Sequence, residues 1–256
     1  MPPLALVLPA DAETNATVWR ADELARPSGA VLATGHAALD AELPGGGWPL
    51  GALVEILQAY SSRNEWRLLL PALARSRPGP VVLVGAPHTP FVPGLAAQGL
   101  PPERLLWVTA STPASRMWVC EQALRCTEVT AVLGWLPQAR ADQLRRLQMA
   151  ASDHAKLLFV MRPAPAQSES SPAILRLLLS AQADSDALQL ELLKRRGPPC
   201  TQAVLLPARV GRLAALLARR RAGLRPEPAV GEPADAAAPL PVEATHHALD
   251  SLAGTA

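Results

Sequence analysis

Residues 52–70 read ALVEILQAYSSRNEWRLLL: a short apolar strand, a polar loop, then a run with helical spacing. A strand that delivers a loop to a helix N-terminus is the frame of a phosphate site, because N–H groups at a helix start attract an anion. A working loop of this kind reads G-x-x-x-x-G-K-[ST]. Its glycines turn N–H groups toward phosphate, its lysine neutralises charge and its hydroxyl holds magnesium. The corresponding residues here are Gln58, Ala59, Tyr60, Ser61, Ser62, Arg63, Asn64 and Glu65. Both glycines, the lysine and the magnesium hydroxyl are replaced. Arg63 is a cation that could meet phosphate, but it brings a Cβ where close approach favours glycine. Ser62-Arg63-Asn64-Glu65 instead fits the capping box S-x-x-E, in which Ser62 and Glu65 satisfy each other's backbone N–H. Glu65 then supplies covalently the anion that a phosphate supplies elsewhere, and such a cap contributes about 1 kcal/mol. No cofactor is expected, and no catalysis.

Other reactive residues are scattered. Cys120, Cys126 and Cys200 have no paired spacing and read as reduced thiols. His246-His247 has no ligand partner nearby, so no metal site is expected, and no Ser-His-Asp or Cys-His set can be argued. Ser111 and Ser115 are helix-cap candidates. Lys194-Arg195-Arg196, Arg209, Arg212 and Arg219-Arg220-Arg221 make the C-terminal third of the body basic. That is a candidate patch for a partner or for weak contact with DNA phosphates, set against the plainer reading of a solvated loop and favourable cations at a helix C-terminus. Gln189–Leu193 resembles a clamp-binding peptide, but its alternating leucines place it in the sheet, out of reach. Trp19 and Leu24 mark a short N-terminal helix able to dock on a partner; Leu249 and Leu252 mark a second docking candidate.

These residues need elements to position them. The chain has 256 residues, 49% of them hydrophobic, enough for one sizeable core. A net charge of +2 by itself argues for neither nucleic acid nor membrane. The N-terminus lacks a signal-peptide pattern and no stretch is long enough to span a bilayer, so a soluble cytoplasmic protein is expected. Strands are expected at 53–57, 80–86, 104–110, 129–136, 156–161, 187–193 and 201–207. Helices are expected at 62–76, 90–98, 114–126, 138–153, 172–181 and 210–221. The alternation predicts an α/β fold with a mostly parallel central sheet flanked by helices. The last two strands, joined only by RRGPPC, suggest an antiparallel hairpin at one edge. Three regions follow: 1–29 with the short helix, a core over 30–221, and an Ala/Pro-rich tail over 222–256. The tail carries −4 and the body +6, and the tail's composition reads as disordered.

Residues 34–56, TGHAALDAELPGGGWPLGALVEI, resemble the entry to the RecA core. Thr34-Gly35, Leu39-Asp40, Gly45-Gly46-Gly47, Pro49 with Gly51, and Val54-Glu55-Ile56 carry the likeness. With the upstream VWRADELA, the string resembles the ImuA family more closely. The resemblance implies a RecA-like, P-loop NTPase-type core whose phosphate loop is degenerate. It implies Trp135 where a magnesium-directing aspartate would stand and Arg162-Pro163 in place of an Asn-Gln sensor pair. It further implies a non-catalytic accessory factor in SOS-induced translesion synthesis and mutagenesis. The partners would be an ImuB-type polymerase-like protein, RecA and an error-prone replicative-type polymerase. The alternatives are a cell-division inhibitor resembling SulA, which shares a RecA-like scaffold without a phosphate loop, and a RecA paralogue that binds nucleotide weakly.

Overall fold

Continuous apolar runs form strands covered on both faces, because successive side chains point to opposite sides. The computed structural model describes residues 29–59, 64–181, 187–200 and 202–207. Its elements are β1 (Val31–Leu32), α1 (Ala37–Glu42), β2 (Trp48–Pro49), β3 (Ala52–Gln58), α2 (Glu65–Arg75), β4 (Val81–Val84) and α3 (Val92–Ala96). There follow β5 (Leu105–Val108), α4 (Pro113–Arg125), β6 (Ala131–Trp135), α5 (Ala141–Asp153), β7 (Leu157–Pro163), β8 (Leu175–Ala181), β9 (Leu188–Lys194) and β10 (Val204–Leu206). β1 and β2 pair in a small antiparallel ribbon, and the other strands form one sheet of eight in the order β10-β9-β8-β3-β7-β6-β4-β5. From β8 to β5 all neighbours run parallel. β9 runs antiparallel to both β8 and β10, which confirms the expected edge hairpin.

The side chains divide by parity. Val54, Ile56, Val81, Leu83, Leu133 and Phe159 pack with Leu68, Leu69 and Leu73 of α2. Leu53, Val82, Val84, Val132, Leu158 and Val160 pack with Leu124 of α4 and Leu144 and Leu147 of α5. α2 and α3 therefore cover one face, and α4 and α5 the other.

The expected helix at 172–181 is instead a strand. Leu175, Leu177 and Leu179 enter the α2-side core at a spacing of two, and residues 175–179 pair in parallel with β3. Leucine favours a helix, but tertiary pairing overrides that preference here. The expected helix at 90–98 shrinks to Val92–Ala96. α4 begins at a capping box in which Thr112, rather than Ser111, exchanges hydrogen bonds with Ser115. Among the described residues no helix is long and apolar enough to cross a membrane.

The entry segment braces α2. Thr34 N–H donates to Asp40 Oδ1 at 2.8 Å, which gives the aspartate of the Leu-Asp pair a structural role. Trp48 is fully buried and meets Phe159 edge-on at 5.3 Å. Gly47 lies so close to the Leu32 carbonyl that a Cβ would collide with it. His36 Nε2 meets the Leu68 carbonyl of α2 at 3.2 Å. Burial pulls the His36 imidazole below its ordinary value, against raising contacts from the Leu68 and Arg67 carbonyls and Asp40. Near pH 6.5 the unfolded chain thus takes up a proton that the folded chain resists. The stability this supplies is complete above pH 6.5 and is lost as pH falls toward the folded pKa. Urea midpoints at pH 7.5 and pH 5 should therefore differ less in His36→Gln than in the native protein. An equal pH dependence in both would remove His36 as a source.

Candidate functional site: two polar clusters at the strand ends

The chain leaves β3 toward β4 but leaves β7 toward β8, on the other side of β3. Open α/β sheets place ligands at such a divergence, beyond the C-terminal strand ends. Among the described residues, one cluster of polar side chains lies at these ends and a second lies deeper in the sheet.

On the α2 face, Gln58 ends β3, Trp135 ends β6 and Glu65 opens α2. All three are at least 96% buried. Glu65 Oε1 accepts from Gln58 Nε2 at 2.6 Å and from the Trp135 indole N–H at 3.0 Å. Its other oxygen accepts from the Asn64 backbone N–H at 3.1 Å. A carboxylate thus sits at the first residue of an eleven-residue helix, where the helix dipole favours negative charge. The expected capping box needs correction: the helix starts at Glu65 with Asn64 as N-cap, so Glu65 is not three residues inside a helix capped by Ser62. Residues 60–63, including Ser62 and Arg63, lie outside the described residues. The three positions read from the sequence as a lost phosphate and magnesium site do come together, as a hydrogen-bonded plug. Gln58 Oε1 within it is buried without a hydrogen-bond partner.

On the α4/α5 face lies a second cluster. Glu55, fully buried in the middle of β3, receives Arg162 Nη1 of β7 at 2.9 Å and Arg176 Nε of β8 at 2.6 Å. Arg162 Nη2 also reaches Glu169 at 2.6 Å and the Ala139 carbonyl at 2.8 Å. Arg176 Nη2 donates to the Ala166 carbonyl at 2.8 Å. Burial works against the charged form of Arg162, and its bonds to Glu55 and Glu169 overcome that, raising its pKa above the ordinary guanidinium value. Sequence reasoning noted Arg162 only as a replaced sensor and passed over Arg176. The signal was present: a cation in the apolar strand LRLLLSA needs a buried anion, and Glu55 is the anion in the neighbouring strand.

The remaining candidates are dispersed. Lys194 Nζ donates to the Ser171 carbonyl at 3.0 Å, while Arg195 donates to the Glu42 carbonyl and meets the Glu42 carboxylate at 3.1 Å. Arg196 is exposed. Gln189–Leu193 lies inside β9, as its alternation implied. Trp19, Leu24, Arg209, Arg212, Arg219, Arg220, Arg221, Leu249 and Leu252 lie outside the described residues. Among the described residues no group of three or more His, Cys, Asp or Glu is placed to hold a metal ion.

No family model matches the chain. Curated relatives do. The cell division inhibitor SulA of Photorhabdus laumondii is 32% identical over 109 residues, 42% of this chain and 62% of that protein. SulA of Edwardsiella piscicida is 31% identical over 99 residues, 38% of this chain and 59% of its own. SulA of Yersinia pestis is 31% identical over 112 residues, 43% and 58% respectively. The chain thus spans about three fifths of the length of the relatives it matches. These matches overturn the likeness to the ImuA family. With it fall the translesion-synthesis role and the partnership with an ImuB-type protein, RecA and an error-prone polymerase. What the chain resembles, over the part that aligns, is the SulA cell division inhibitors.

Proposed function

We propose that this protein is a SulA-like cell division inhibitor of the SOS response, acting in the cytoplasm by binding a component of the division machinery. The observation that carries the reading is the similarity to three SulA proteins at 31–32% identity. The site geometry supports a non-enzymatic mode of action. A RecA-like scaffold with a working loop would present glycine N–H groups and a lysine to phosphate. This one presents a buried carboxylate whose two oxygens are already hydrogen-bonded. A triphosphate there would have to displace three hydrogen bonds and face the repulsion of Glu65. Inhibition is then stoichiometric, set by the amount of protein and not by nucleotide state.

The test is inducible expression in a rod-shaped bacterium, with cell length scored by microscopy. Filaments several times the length of uninduced cells, with septation resuming when induction stops, are the expected result. Cells of normal length despite abundant soluble protein would overturn the reading.

A further inference from the structure

On the α4/α5 face, at the C-terminal ends of β5 and β6, lies a hollow of about 210 Å³. Met117, Leu136 and Pro137 wall it, and Ser111, Arg116 and Gln143 bring polar groups to it. Among the described residues no aspartate or glutamate lines it. Arg116 is only partly exposed and is held from two sides. Its Nε donates to the Ala110 carbonyl at 2.9 Å. Its Cδ and Nε lie over Gly85, where a Cβ would come within 2.8 Å of both. The two Nη groups are left over, because among the described residues Arg116 has no carboxylate partner and no further acceptor. Glu121 of α4 and Asp142 of α5 do not supply one, since they pair with Arg146 and Arg140. Arg116 is thus a fixed cation without a counter-charge. That charge does not depend on a helix start: Pro113 has no N–H, and the Ser115 N–H is taken by Thr112 Oγ1 at 3.0 Å. Gln143 Oε1 accepts from the Arg140 N–H at 3.0 Å, which leaves the amide NH2 as a second donor. The loop after β6 is pinned, with the Leu136 N–H on the Met161 carbonyl at 3.1 Å and the Ala139 carbonyl on Arg162.

We infer that this hollow binds a small carboxylate with a short aliphatic chain. The carboxylate sits on the Arg116 Nη groups and the Gln143 amide, and the chain lies against Met117, Leu136 and Pro137. A planar guanidinium meets a carboxylate in matching geometry, and an anchored one gives up little freedom to do so. One free cation balances one negative charge, whereas a phosphate dianion would keep a charge without a partner. The hollow is below the roughly 300–1,000 Å³ of sites for drug-sized ligands, so a nucleotide is too large for it. It lies on the other face of the sheet from Glu65 and Trp135 and does not depend on the division reading.

The test titrates the full chain with sodium pentanoate at constant ionic strength, by calorimetry and by heteronuclear NMR. Saturable binding is expected, with a dissociation constant of about 1 mM or tighter. The largest shifts should fall on the Arg116 Nε–H and the Gln143 side-chain amide. Pentanamide keeps the shape without the charge, and inorganic phosphate keeps charge without the chain. Each should bind at least tenfold more weakly. Arg116→Gln should weaken pentanoate binding at least tenfold with the melting temperature within a few degrees. Ser111→Trp, which places a large ring in the hollow from an exposed position, should do the same and serves if Arg116→Gln fails to fold. Four outcomes would overturn the inference. One is no saturation at tens of millimolar pentanoate. Another is pentanamide binding as tightly as pentanoate, which would make the hollow an apolar cleft. A third is phosphate binding as tightly, which would make it a general attraction for anions. The last is unchanged affinity in the folded variants, which would put the bound pentanoate elsewhere.

Discussion

Arg162→Met should lower the unfolding free energy by about 3–5 kcal/mol, a large share of the 5–15 kcal/mol typical of a domain. The substitution keeps most of the side-chain volume and removes the charge. Glu55, fully buried, then has Arg176 as its one remaining cation, and the Ala139 carbonyl loses a donor. The cost comes from stranding a charge, not from the net worth of the pair, which desolvation largely cancels. The companion variant Glu55→Leu/Arg162→Met/Arg176→Leu makes that distinction measurable. It removes all three buried charges together and should recover part of the loss, short of native stability because the Ala139 and Ala166 carbonyls lose their donors. Urea unfolding followed by circular dichroism gives both numbers. A single variant within 0.5 kcal/mol of native, on the scale of ordinary surface changes, would show that the network does not hold β3, β7 and β8 together.

Glu65→Ala is expected to be nearly as severe, at about 2–4 kcal/mol, because it strips the acceptor from two buried donors at once. The Gln58 amide and the Trp135 indole would lose their partner, and α2 would lose the anion at its start. Glu65→Gln keeps an acceptor oxygen for those donors and gives up the charge, so it should cost roughly half as much. Trp135 reports the change directly, since its indole loses a hydrogen bond and its fluorescence should shift. Millimolar Mg-ATP should leave the melting temperature of the native protein unchanged; a ligand at a hundred times its dissociation constant would add about 2.7 kcal/mol. A rise in melting temperature with ATP, or an Ala variant as stable as native, would mean that Glu65 does not fill the site.

Most of the strands could be read from the sequence because burial on both faces writes them as unbroken runs of Val, Leu and Ile. PVVLVGA and KLLFVM need no partner to declare themselves. β8 escaped because its leucines also suit a helix, and only its pairing with β3 decides between them. The candidate site was half legible. Residues 58–65 and Trp135, at the end of the next strand but one, were marked out by their departure from the loop and strand they resemble. What fills the space was not legible, because Glu65 and Trp135 are 70 residues apart and nothing local joins them. The capping box misled for a related reason. That motif gives the Glu65 carboxylate a backbone N–H close by in the chain, whereas the fold offers it an indole from another strand.

The bonds of Glu55 to Arg162 and Arg176 span 107 and 121 residues of chain. β3 leaves the ribosome long before either arginine has been translated. At about 5–20 residues per second, the central strand waits roughly 6–24 s with an uncompensated carboxylate and two unpaired edges. The pairing of β3 with β8 can form only when β8 emerges, so folding of the sheet lags synthesis of its central strand by a delay written into its topology.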